Sequence, residues 1–193
     1  MKTQFNVWIA LFICGTAAMA QESPTPKVEV GLNYSFDRIM PGGGLSNYNA
    51  NGGFADIEYN LTRNLGIVGD LGVNYAGTAN GISVKDTTFQ YLFGPRLNIR
   101  RYGRWNPFIQ ALFGEQRFSN GFAPGTAFGY TGASQTNFSM ALGGGLDIAL
   151  AHSISLRPVE VDYMPLQIPY GTLRYTQNDF RYAAGVVFRL GAK

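Results

Sequence analysis

Apolar and polar residues alternate with a period of two along most of the chain after its first 26 residues. Between Val28 and Phe36, for example, every second residue is bulky and apolar, and the residues between them are acidic, polar or glycine. Strict alternation is typical of β-strands with one apolar and one polar face. Seven further stretches with this pattern follow, so the sequence predicts eight strands.

One predicted strand, the seventh, changes phase in its middle. The apolar residues before Pro158 and those after it fall on opposite parities. A β-bulge at Pro158 would correct the phase, because a bulge accommodates both an extra residue and a proline. With the bulge, Arg157, Glu160 and Asp162 all point to the polar face. We therefore expect a bulged strand that adds three charged residues to one side of the sheet.

The predicted connections between strands alternate in length. Short connections fall near 62–64, 101–104 and 151–153, and long ones near 39–51, 76–86, 119–136 and 164–177. An even number of strands, with short turns at one end and long loops at the other, is typical of outer-membrane β-barrels. In such a barrel the short turns and both chain termini face the periplasm.

The sizes of the residues indicate which face meets lipid. The apolar positions carry bulky side chains such as Leu32, Ile57, Phe93 and Val186, whereas the polar positions carry small residues and charges of both signs. Only 14% of the residues are charged, against about 25% in soluble domains. The interior of an eight-stranded barrel is narrow and suits small residues and paired ions. The sequence therefore predicts an all-β, eight-stranded antiparallel up-and-down transmembrane β-barrel; a soluble ligand-binding barrel, with its charges outside, is the alternative.

The first twenty residues have the pattern of a secretory signal peptide. Lys2 gives a positive start, a short apolar stretch follows, and Ala18 and Ala20 form a small-x-small cleavage site. The apolar stretch is too short to span a bilayer. The only cysteine, Cys14, lies inside this segment, so no disulfide is expected after cleavage. We expect a signal peptide over 1–20, a periplasmic lead-in over 21–26 and the barrel domain over 27–193.

Charged residues on the polar face would be enclosed in the barrel. An unpaired buried charge costs several kcal/mol, so these charges should be matched. We expect four ion pairs, joined by Asp56, Glu58 and Glu160: Glu29 with Arg189, Asp70 with Arg96, Asp147 with Arg157, and Asp162 with Arg181. Such a network either forms a gated, ion-selective path or plugs the lumen and fixes the register, and the narrow barrel favours the plug.

Several segments carry a family resemblance. Tyr91-Leu-Phe-Gly-Pro-Arg96 resembles a recurring strand of small Gram-negative outer-membrane proteins of the porin-like, OmpA/OmpX-type β-barrel group. The end of the chain is similar to that group's C-terminal signal for the barrel-assembly machinery, carried here by Gly185, Phe188 and Leu190. The resemblance implies an outer-membrane location, recognition by that machinery, and structural, adhesive or weakly pore-forming roles.

Chemistry beyond the barrel is sparse in the sequence. The only histidine, His152, lies in a predicted periplasmic turn without an evident nucleophile and acid to complete a catalytic set, so we expect no enzymatic activity. No motif with the spacing of a metal site is evident, and we expect no cofactor. Arg100, Arg101 and Arg104 cluster at one periplasmic turn, where they either hold anionic headgroups or anchor a strand end.

The expected function is envelope structure or surface interaction through the long loops. The expected partners are outer-membrane lipid, lipopolysaccharide and, during biogenesis, the assembly machinery. The formal net charge of +3 comes with no dense basic stripe, so nucleic-acid binding is not expected. We expect a monomer. A narrow porin-like channel for ions or small solutes is the first alternative function.

Overall fold

Eight antiparallel strands form a closed barrel in the computed structural model, which describes residues 25–40, 46–79, 82–119, 135–170 and 173–191. Each strand pairs with its neighbours in chain order, and the last strand pairs with the first. The strands are β1 (Val28–Ile39), β2 (Tyr48–Asn60), β3 (Leu65–Ala79), β4 (Ile82–Asn98), β5 (Trp105–Phe118), β6 (Gln135–Ala149), β7 (Ile154–Tyr170) and β8 (Leu173–Leu190). The predicted fold class is therefore confirmed.

The outer wall of the barrel is apolar and the inner wall is largely polar. Leu32 and Phe93 are 55% and 62% exposed, whereas Asp70 and Arg96 are each only 1% exposed. Ile57 is also exposed. A soluble barrel would have the opposite arrangement, with charges outside and apolar side chains around the cavity. The alternative of a soluble ligand-binding barrel is therefore wrong. In the described ranges, no helix is long and apolar enough to cross a membrane.

Inward-facing glycines make room for the polar side chains. Gly31 lies directly opposite Asp56 in the β1–β2 register, and a Cβ atom at Gly31 would lie 2.2 Å from the Asp56 carboxylate. Gly72 is opposite Gln90 in the β3–β4 register, with 2.9 Å left for a Cβ. Since real Cβ atoms do not approach so closely, the glycines leave the space that the side chains of Asp56 and Gln90 occupy.

The seventh strand has the predicted bulge. The register of β7 with β8 shifts between Arg157 and Glu160, on either side of Pro158. Arg157, Glu160 and Asp162 are all fully buried inside the barrel. The register of β7 with β6 also shifts, between Leu146 and Ile148. The phase change in the sequence thus correctly indicated both the bulge and the direction of the three charged side chains.

The connections at the two ends differ from one another, but not entirely as predicted. The short turns join β2 to β3, β4 to β5 and β6 to β7, as expected. The long loops predicted at 76–86 and 164–177 are wrong, because β3 and β4 continue to Ala79 and Ile82, and β7 and β8 to Tyr170 and Leu173. Glycine, asparagine, threonine and proline suggested loops there, but cross-strand pairing with the adjacent strand continues the ladder. The predicted loops at 39–51 and 119–136 lie partly outside the described residues.

The N-terminal predictions remain predictions. The signal segment, with Ala18 and Ala20, and most of the lead-in lie outside the described residues. The described chain joins the barrel at Lys27, whose backbone N–H donates to the carbonyl of Leu190 at 3.0 Å and whose carbonyl accepts from Asn60.

Candidate functional site in the barrel lumen

Three arginines from three different strands converge inside the barrel. Arg96 lies on β4, Arg157 on β7 and Arg181 on β8, and each is at most 1% exposed. Each guanidinium offers five N–H donors and no acceptor, so burial requires a surrounding shell of oxygen atoms. The barrel supplies that shell from carboxylates and an amide on the neighbouring and opposite strands. We call these three arginines and their partners the lumen network.

Arg157 contacts three carboxylates of the lumen network. Its Nε and Nη2 donate to the two carboxylate oxygens of Asp147 on β6, at 2.7 and 3.1 Å. Its Nη1 donates to Asp56 Oδ1 on β2 and to Glu160 Oε2 on β7, both at 2.8 Å. One guanidinium therefore ties together strands that lie on opposite sides of the barrel.

Arg96 shares a carboxylate with Arg157. Its Nη1 donates to Asp56 Oδ2 at 3.1 Å and to Glu58 Oε2 at 3.2 Å, while Nε and Nη2 donate to Gln110 Oε1 at 3.0 and 2.7 Å. The amide of Gln110 then donates to Glu160 and Asp162, each at 2.9 Å. The Asp56 carboxylate and the Gln110 amide thus connect the arginines into one network.

Arg181 lies among a second set of carboxylates. Its Nη2 is 2.8 Å from Asp70 Oδ2 and 2.8 Å from Asp162 Oδ2, and 3.6 Å from Glu160 Oε1. Its Nε also donates to Asp162, at 3.1 Å. Because Glu160 and Asp162 contact Gln110 as well, Arg181 belongs to the same network as Arg96 and Arg157.

Two aromatic rings inside the lumen stack on the guanidinium groups. The ring centroid of Phe108 is 4.4 Å from the Arg96 guanidinium and 4.8 Å from that of Arg157. The ring of Phe54 is 3.9 Å from the guanidinium of Arg181. These distances suit cation–π contacts, which are strongest when the cation is desolvated. Neither ring was among the predicted lumen residues, although each has the same parity as a polar neighbour that faces inward.

Two of the four expected ion pairs are present. Asp147 pairs with Arg157 and Asp162 with Arg181. Asp56, Glu58 and Glu160 join the network, as expected.

The expected pairing of Asp70 with Arg96 is corrected by the register. Arg96 lies opposite Gly66, four residues from Asp70 on the same strand, or about 13 Å along it. Arg96 therefore turns to β2, and Asp70 reaches across the lumen to Arg181.

The expected pairing of Glu29 with Arg189 is also corrected. The two residues are opposite one another in the β1–β8 register, but Glu29 accepts hydrogen bonds from Arg100 and Asn60. Arg189 donates instead to the backbone carbonyl of Ala151 in the β6–β7 turn. At the rim of the barrel, a long arginine side chain reaches the turns as easily as the neighbouring strand.

Further buried side chains line the described lumen outside the network. Five consecutive strands, β3 to β7, each contribute one side chain to a buried apolar cluster: Val68, Leu92, Leu112, Ala141 and Met164. Towards the end opposite the short turns, Asn74 accepts a hydrogen bond from Ser35 and donates one to Asp37. A cavity of about 20 Å³ near Asp37 and Asp179 is large enough for roughly one or two water molecules.

The residues of the expected C-terminal assembly signal lie along the end of β8. Phe188 and Leu190 are exposed on the apolar outer wall. Gly185 lies opposite Asn33, and a Cβ atom there would be 2.4 Å from Asn33 Oδ1. Close packing against Asn33 is thus enough to explain a glycine at position 185. The role of Gly185 in recognition by the assembly machinery stays a prediction.

A closed antiparallel cylinder with an apolar outer wall and a buried ionic interior is a transmembrane β-barrel. The sequence profile of the outer membrane protein beta-barrel domain family matches residues 7–189 of this chain. The chain belongs to that family, which confirms the resemblance seen in its strands. No curated protein shows a significant match to the sequence.

Solved outer-membrane structures share the fold at low sequence identity. Neisserial surface protein A is similar with a TM-score of 0.65 and 13% identity, over 85% of this chain and 97% of that one. OprG of Pseudomonas aeruginosa is similar with a TM-score of 0.55 and 10% identity, over 88% of this chain and 98% of that one. The N-terminal β-barrel domain of Pseudomonas aeruginosa OprF has a TM-score of 0.50 and 13% identity, over 82% of this chain and 96% of that one. At these identities the similarity concerns the fold alone.

Proposed function

We propose that this protein is a non-enzymatic structural and surface-interaction barrel of the outer membrane, with a lumen closed by its own side chains. The proposal of a closed lumen is based on the lumen network, in which Arg96, Arg157 and Arg181 join carboxylates from opposite walls. An ion that crossed would have to break several buried charge pairs at once. Removing one partner from such a pair typically costs about 3–5 kcal/mol.

The surface role is supported by the length of the strands. A tilted strand needs about 9–11 residues to cross a bilayer, but β7 and β8 have 17 and 18. At about 3.3 Å per residue, the surplus projects roughly 15–20 Å beyond the membrane. A paired ribbon of this kind displays its tip on a rigid scaffold, which suits recognition.

Lipopolysaccharide is the partner that the outer wall fits best. Arg38 and Arg117 lie on the outward-facing parity at the end opposite the short turns, next to Asn49 and Phe89 in the register. Cationic side chains just beyond an aromatic belt can contact lipid phosphates. Purified lipopolysaccharide should bind the detergent-folded protein more weakly after Arg38→Gln with Arg117→Gln; equal binding would remove this partner from the proposal.

Planar-bilayer recording tests the closed lumen. The reconstituted protein should show no steady conductance under conditions in which a reconstituted open porin conducts. A narrow cation channel is the second candidate, and one observation favours it: nine carboxylates are buried in the described residues, against three fully buried arginines. Steady cation-selective current would contradict the closed lumen and support the channel instead.

Export and assembly complete the proposal. The chain would be exported to the periplasm, lose its signal peptide by cleavage after Ala20, and be inserted as a monomer by the assembly machinery. N-terminal sequencing of the outer-membrane form should begin at Gln21. A lipid A deacylation assay tests the absence of enzymatic activity, and turnover that His152→Ala abolishes would contradict it.

A further inference from the structure

A cavity of about 50 Å³ opens at the short-turn end of the barrel, which faces the periplasm in the expected orientation. Five arginines line it: Arg63, Arg100, Arg101, Arg104 and Arg189. They come from the β2–β3 turn, the β4–β5 turn and the end of β8. Arg100, Arg101 and Arg104 are close together in the sequence, and the fold brings Arg63 and Arg189 to them.

The carboxylates in this cavity do not balance its positive charge. The acidic residues of its lining are Glu29 and Asp147. Both oxygens of Asp147 accept hydrogen bonds from Arg157 of the lumen network. Glu29 is engaged by Arg100 and Asn60. Five arginines against two carboxylates leave a formal excess of three positive charges among the lining residues.

Buried donors in the cavity lack an acceptor. The Nε groups of Arg100 and Arg189 are shielded from solvent, and the described part of the chain offers neither of them a hydrogen-bond partner. A buried donor without an acceptor is unfavourable, by about 1–3 kcal/mol and more for a charged group. An anion in the cavity would supply the missing acceptors.

We propose that this periplasmic cavity is a binding site for a phosphate-class oxyanion. Arginine forks match the oxygen atoms of phosphate with paired, charge-assisted hydrogen bonds. The volume is that of about four water molecules, which suits a group with four oxygens. The pair of Asp147 with Arg157 closes the inner side of the cavity, while exposed Arg101 and Arg104 form its outer rim. The anion therefore enters from the periplasm.

The same chemistry is available from free phosphate or from the headgroup of an anionic phospholipid in the inner leaflet. Simple anchoring of a strand end explains the cluster less well. Anchoring residues face outward, as Trp105 does with 52% exposure, whereas Arg100 and Arg189 are half-buried and line the cavity.

Thermal unfolding and calorimetric titration of the detergent-folded protein test the site, with inorganic phosphate at constant ionic strength. Phosphate should bind and raise the unfolding midpoint. Arg189→Gln should weaken binding about tenfold, the effect of losing one charge-assisted hydrogen bond. Arg101→Gln with Arg104→Gln should also weaken phosphate binding. Because this second variant changes only exposed rim residues, it keeps the test valid if Arg189→Gln does not fold. Lys27→Gln is the matched control, because Lys27 is exposed at the same end but lies outside the cavity.

A second arm uses nanodiscs of phosphatidylcholine with and without phosphatidylglycerol. Stabilisation by phosphatidylglycerol that the cavity variants lose, with no effect of inorganic phosphate, identifies the headgroup as the source. Stabilisation by inorganic phosphate identifies the free ion. The proposal is overturned if neither ligand acts, or if the cavity variants bind and are stabilised as strongly as the parent and the Lys27→Gln control.

Discussion

The carboxylate of Asp147 on β6 accepts two hydrogen bonds from the guanidinium of Arg157 on β7, at 2.7 and 3.1 Å. Both side chains are buried within the barrel. Asp147→Leu would leave a buried cation with fewer acceptors, so the free energy of unfolding should fall by about 3 kcal/mol. Urea unfolding of the protein in lipid vesicles, followed by tryptophan fluorescence, measures the change.

Glu115→Gln is the control for this measurement. Glu115 lies on the outer wall, away from the lumen network, and accepts a hydrogen bond from Tyr91; glutamine keeps an oxygen acceptor for that bond, so Glu115→Gln should change the free energy of unfolding less than Asp147→Leu does. If Asp147→Leu were as stable as the parent, the pair with Arg157 would not stabilise the barrel.

Phe108 should be the most important aromatic residue of the interior, because its ring contacts the guanidinium groups of both Arg96 and Arg157. Phe108→Ala should destabilise the protein by about 3–5 kcal/mol, through lost packing and lost cation–π contacts. Phe108→Leu keeps most of the volume and should restore part of the loss. Phe113→Ala on the outer wall, where Phe113 is exposed, should cost less; equal losses at 108 and 113 would argue against a special role for the inner ring.

Gly31 faces the lumen and Gly69 faces the outer wall opposite Phe93, so the two glycines test space inside the barrel against space outside it. A Cβ atom at Gly31 would lie 2.2 Å from the carboxylate of Asp56, whereas one at Gly69 would have no atom within 4 Å. Gly31→Ala should therefore destabilise the barrel by about 1–3 kcal/mol, as overpacking does. Gly69→Ala should be neutral or stabilising. Equal stability of the two variants, measured by the same unfolding assay, would show that the lumen is not tightly filled.

The strand number, the two faces and the bulge could all be predicted, because a period of two is a local property. Whether Phe93 faces lipid and Asp70 faces the lumen depends only on parity and side-chain size. The phase change at Pro158 is local for the same reason. Parity would also have predicted that Phe54 and Phe108 face the lumen, since they have the same parity as Asp56 and Gln110.

Partners across the lumen could not be predicted in the same way. Side chains meet there according to the tilt of the strands and the shear of the closed sheet, which local patterns do not specify. Asp70 therefore contacts Arg181 and not Arg96. The extended hairpins were missed because turn-forming residues at 76–86 and 164–177 occur within paired strands, where the neighbouring strand overrides local preference.

The central claim is that bulky apolar side chains contact acyl chains. Trp105 is the only tryptophan after the predicted signal segment, so Trp105→Phe gives a background without fluorescence from tryptophan in the chain starting at Gln21. Phe93→Trp then places a single probe in the middle of the outer wall, and Tyr102→Trp places one in the exposed β4–β5 turn.

Quenching of these two probes in lipid vesicles is the most direct measurement. Lipids brominated on their acyl chains should quench the tryptophan at 93, and aqueous iodide should not. The tryptophan at 102 should respond to iodide and little to the brominated chains. Iodide quenching at 93 without quenching by brominated lipid would contradict the account.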